Sequence, residues 1–90
     1  MADRYHISSL VVRAIPDRLE AVKAEIEALE GAEVFRSDPI GKAVVVLETA
    51  NQAEIADRMR AMESIPGVLN VSLIYHHVEE HTNRDPREAL

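Results

Sequence analysis

The stretch His6-Ile7-Ser8-Ser9-Leu10-Val11-Val12-Arg13-Ala14 alternates at its polar end and is β-branched beyond it, which is the pattern of a strand. Pro16 follows, with a φ suited to the first turn of a helix. Leu19, Val22, Ile26 and Leu29 then recur at steps of three, four and three, predicting one face of a helix over 17–30, while Glu20, Lys23, Glu27 and Glu30 project elsewhere. Gly31 stands where a glycine ends a helix. Residues 33–37 predict a short strand, Asp38-Pro39-Ile40-Gly41 a turn, and 43–48 the clearest strand of the chain. Asn51-Gln52-Ala53-Glu54 has the spacing of a capping box. Ile55, Met59 and Met62 make the apolar face of the helix it opens, and Ile65-Pro66-Gly67 closes that helix. A final strand over 68–75 places Val71, Leu73 and Tyr75 on one face and Asn70, Ser72 and Ile74 on the other. From His76 onward the chain is polar and reads as a tail.

The order β-α-β-β-α-β repeats one unit twice, and both helices end alike, in Leu29-Glu30-Gly31 and Ile65-Pro66-Gly67. Two such units predict an α+β fold, the ferredoxin-like sandwich, in which a four-stranded antiparallel sheet carries two helices on one face. Its other face stays uncovered. Glu48 sets the parity of the third strand, because a carboxylate does not point under the helices. Ala43, Val45 and Leu47 then face the helices, and Val44, Val46 and Glu48 face out. On the first strand Leu10 and Val12 go inward and Ser9, Val11 and Arg13 outward; on the last, Asn70, Ser72 and Ile74 go outward. The candidate binding face is therefore Ser9, Val11, Val44, Val46, Glu48, Ser72 and Ile74. Two readings of it stand side by side: ordinary scattered apolar surface, or a docking patch rimmed by acid that suits a cationic amphipathic peptide. Addition of an extended peptide along the second strand is a further physical mode.

Composition narrows the partners. The 90 residues carry ten Lys and Arg against 16 Asp and Glu, a net charge of −6, which speaks against nucleic acid and favours cationic partners. Tyr5, Phe35 and Tyr75 are the only aromatics, too few for base-stacking platforms. The absence of Cys removes disulfides, thiolate metal sites and Cys nucleophiles together. The longest apolar run, 43–47, falls far short of the ~20 residues that span a bilayer. The start Met1-Ala2-Asp3-Arg4-Tyr5-His6 has no basic-then-apolar export signal, so the expected location is the cytoplasm.

Candidate chemistry is sparse. His76, His77 and His81 resemble a metal cluster, but neighbours on a strand point to opposite faces, and a polar tail with incidental His is the simpler account. The glycines are isolated, so no phosphate-cradling loop is present. Acylphosphatases on this scaffold use an Arg and an Asn, parts that Arg13 and Asn70 could take, but no anion-binding loop lies between Ala14 and Pro16. No enzyme activity and no cofactor is expected. A small-molecule regulatory domain of the ACT-like kind leaves little motif and stands as the alternative.

Four stretches resemble one family: Ser8-Ser9-Leu10-Val11-Val12; Gly31-Ala32-Glu33-Val34; Gly41-Lys42-Ala43-Val44-Val45-Val46-Leu47-Glu48; and Ile65 to His76, with Gly67-Val68-Leu69-Asn70-Val71-Ser72-Leu73-Ile74-Tyr75-His76 the most specific. They are similar to the NapD family over roughly residues 6–80. The resemblance implies a ferredoxin-like fold without catalysis. It implies a cytoplasmic chaperone that binds the twin-arginine signal peptide of the periplasmic nitrate reductase catalytic subunit and restrains export until the molybdenum cofactor is loaded. Residues 1–78 are then a ferredoxin-like peptide-binding domain and 79–90 a polar, flexible tail. The family supplies no motif that assigns binding residues, so these rest on the face assignment above.

Overall fold

Alternate residues of the two central strands point under the helices, and these build the core. Leu10, Val12 and Ala14 of the first strand and Ala43, Val45 and Leu47 of the third are buried in one cluster with Leu19, Val22 and Ile26 of the first helix and Ile55 and Met62 of the second. The computed structural model describes residues 4–80. They form β1 (Arg4–Ala14), a 3-10 turn (Pro16–Arg18), α1 (Leu19–Glu27), β2 (Ala32–Asp38), β3 (Lys42–Thr49), α2 (Gln52–Glu63) and β4 (Val68–Glu80). The sheet order is β2-β3-β1-β4 with every neighbouring pair antiparallel, the expected ferredoxin-like arrangement.

The first helix is shorter than its apolar spacing predicts. Pro16–Arg18 wind as a 3-10 helix before α1 begins at Leu19, and Leu29 leaves α1 on a tight turn, its N–H donating to the Ile26 carbonyl at 3.0 Å. The capping box forms much as the spacing predicts: the Asn51 carboxamide oxygen accepts from the Glu54 N–H at 3.0 Å. The return bond from the Glu54 carboxylate takes the N–H of Ala50, one residue earlier than the usual pattern.

The larger departure is in β4. The sequence ends this strand at Tyr75 and begins a tail at His76, whereas the strand continues to Glu80 and pairs with β1 as far as Arg4. The remaining residues of the expected tail, 81–90, lie outside the described residues. β4 also does not keep one parity. Leu10 is opposite Leu73 and Ser9 is opposite Tyr75, so Ile74 is the extra residue of a β-bulge. Tyr75 is thereby moved off the face it was expected to share with Val71 and Leu73. A second bulge leaves Leu69 unpaired, and a third interrupts β2 at Phe35.

Candidate functional site

Cross-strand partners share a face, so the register lays out the uncovered side of the sheet in rows. Asp38, Lys42, Arg13 and Asn70 form the first row. Arg36, Val44, Val11 and Ser72 form the second. Glu33, Val46, Ser9 and Tyr75 form the third, and Glu48, Ile7 and His77 the fourth. The middle of the face is apolar and both ends are charged.

Six of the seven predicted residues fall on these rows: Ser9, Val11, Val44, Val46, Glu48 and Ser72. The seventh, Ile74, is the unpaired bulge residue and is 58% exposed. The parity anchored on Glu48 therefore places β1 and β3 as expected. Exposure is another matter. Val46 is only 7% exposed and Ser9 1%, while Val11 and Val44 are half-buried. Val46 and Ile7 are buried, yet neither belongs to the cluster beneath the helices.

Among the residues of this face that the sequence reading did not place there are Ile7, Glu33, Tyr75 and His77. The Tyr75 and His77 rings lie 6.2 Å apart and 14° from parallel, two residues apart on one side of the bulged strand. The signal that could have found them is the run Leu73-Ile74-Tyr75, three consecutive apolar residues that break an alternating strand.

The histidines take a different arrangement from a metal cluster. His76 and His77 lie on opposite faces, and His76 meets His6 of β1, Nε2 to Nδ1 at 2.7 Å. Their rings are 11° from parallel with centroids 5.0 Å apart, so with so short a contact they meet edge to edge in one plane. One nitrogen donates and the other accepts. His81 lies outside the described residues.

At the Glu48 end a cavity of about 340 Å³ opens between β1, β3 and α2, lined by Tyr5, Glu30, Glu48, Thr49, Glu54 and Arg58. Arg58 is held at its wall, its Nε donating to the Glu30 carbonyl at 3.0 Å and its guanidinium 3.6 Å from the Glu30 carboxylate. Arg13 and Asn70 are direct cross-strand partners at the opposite end of the face.

The fold and this face define a ferredoxin-like α+β domain with one sheet surface that neither helix covers. The chain belongs to the NapD family: the family model described as NapD protein matches residues 5–80. It is 35% identical over 77 residues to the chaperone NapD of Haemophilus influenzae, covering 84% of this chain and 83% of that one. To the chaperone NapD of Escherichia coli K12 it is 33% identical over 87 residues, 96% of this chain and all of the relative. The solution structure of the E. coli Tat proofreading chaperone protein NapD matches with a TM-score of 0.78 at 34% identity, over 97% of this chain and 93% of that one. These relatives are chaperones by name, and no catalytic activity is indicated for them. Among the described residues no helix is long and apolar enough to cross a membrane.

Proposed function

We propose that this chain is a chaperone that binds a twin-arginine signal peptide on the open face of its sheet, with Val11, Val44 and Val46 beneath the apolar part of the peptide. The precursor it serves is the periplasmic nitrate reductase catalytic subunit, held in the cytoplasm until its cofactor is loaded. The observation that carries the reading is the open face itself: an apolar centre on the two middle strands, bounded by Glu33 and Glu48, in a chain of net charge −6 whose relative is a Tat proofreading chaperone. Because Val46 is already buried, docking gains little there. The area to be won lies on Val11, Val44, Tyr75 and Ile74.

Addition of the peptide along the edge of β2 has less support. The bulge at Phe35 interrupts that strand, and the Val34 N–H already donates to the Glu27 carboxylate at 3.1 Å. The test is a titration of Val44→Asp with the signal peptide, after circular dichroism confirms an unchanged fold. Loss of an apolar contact of about 1.5 kcal/mol weakens binding roughly tenfold. An unchanged dissociation constant removes this face from the site.

A further inference from the structure

The open face is electrically lopsided. Arg13, Lys42 and Arg36 gather at one end, with Asp38 opposite Lys42, and Glu33 and Glu48 mark the other. Lys42 and Glu48 are six residues apart on one strand, about 20 Å at ~3.3 Å per residue. At physiological salt the screening length is about 8 Å, so a charge at either end senses its own end and little of the far one. The apolar side chains of Val44, Val11 and Val46 lie between, and Ile7 stands beside Glu48.

We infer that a signal peptide bound to this face lies in one direction only, its arginines over Glu48 and Glu33 and its apolar body running across Val46, Val11 and Val44 toward Arg13 and Lys42. This rests on the docking proposed above. Three observations agree on the direction. Arginine side chains meet carboxylates at the Glu48 end and would meet cations at the other. If the apolar body is helical, its positive N-terminal pole faces the acids and its negative C-terminal pole faces Arg13 and Lys42. Adjacent arginines on a helix diverge, and the acidic end offers two separate places for them: the Glu33–Glu48 side of the sheet, and the cavity into which Glu48 also opens. Within that cavity Glu30 is engaged by Arg58, and Glu54 accepts from the Ala50 N–H.

The experiment uses the full chain, isotope-labelled, with a synthetic peptide of two adjacent arginines followed by an apolar segment of about 13 residues, enough to cover ~20 Å as a helix. One version carries a nitroxide at its N-terminus and another at its C-terminus. The N-terminal label is expected to broaden the amides of Ile7, Leu47 and Glu48, and the C-terminal label those of Arg13 and Lys42. The reverse pattern, or both labels broadening both ends alike, overturns the direction while leaving the docking intact. Broadening at neither end of the face overturns the docking and the direction with it. A charge arm reads the same claim: Glu48→Gln weakens binding up to about fivefold in low salt, and Lys42→Gln does not weaken it. Affinity that holds in Glu48→Gln, or falls equally in Lys42→Gln, counts against the direction.

Discussion

Ser8 and Ser9 are neighbours on β1 whose side chains point to opposite sides of the sheet, and both hydroxyls are buried with no hydrogen-bond partner among the described residues. An unpartnered buried hydroxyl costs about 1–3 kcal/mol, so removing it stabilises wherever the space it leaves is small. Ser8→Ala is expected to raise the unfolding free energy by about 1 kcal/mol, seen in urea as a higher midpoint at unchanged slope. A lower midpoint would show that the hydroxyl is satisfied in solution. Gly31 works in the opposite sense. Its φ of +83° is left-handed, its carbonyl accepts from the Glu48 N–H at 2.9 Å, and a Cβ there would collide with the Glu48 carbonyl. Gly31→Ala should therefore cost more than about 1 kcal/mol and move Glu48 as well, so that peptide affinity and stability fall together.

At the scale of the element, β4 decides what the face presents. Beyond the bulge its fastening to β1 includes the in-plane His6–His76 contact at 2.7 Å. His76→Ala is expected to speed amide exchange at Tyr5, His6 and Ile7 by an amount equal to about 1 kcal/mol of local opening, leaving Leu10 and Val12 protected. Equal acceleration throughout β1 would mean that the contact holds the whole sheet. β1, β3, both helix faces and the Asn51 cap were legible in the sequence because each depends on local spacing, and Glu48 alone was enough to set parity on its strand. β4 was legible only as far as Leu73, since period two assumes a strand without insertions, and which residue of Leu73-Ile74-Tyr75 is the extra one is settled only by pairing with Ser9 and Leu10 on a strand some 60 residues earlier. The exposure of Val46 and Ser9 was hidden for a related reason. Alternation tells which side a residue faces, but how far it is covered depends on the side chains of the strands beside it.

For the whole molecule, the long axis of 44 Å is about the length of β4, thirteen residues at ~3.3 Å each, so the sheet is a ribbon rather than a square. Such a ribbon has two chemically distinct ends, and in a chain of net charge −6 the acidic one is reinforced by the rest of the surface. Long-range attraction then acts on the encounter with a cationic peptide more than on its residence. Raising the salt from about 0.01 M to about 0.15 M shortens the screening length from ~30 to ~8 Å. Stopped-flow mixing should show the association rate falling at least severalfold with little change in dissociation. A salt-insensitive association rate would mean that apolar contact alone governs capture.

Ile74 has a consequence that no side-chain substitution shares. Were this one residue deleted, Tyr75 would follow Leu73 directly and stay opposite Ser9 on the bare surface, with His76 still on the helix side, and what would vanish is the local bend and added twist of the bulge. The curvature of the surface is thus tuned by chain length at a single point, and a homologue one residue shorter there would show its client a flatter floor with the same furnishings.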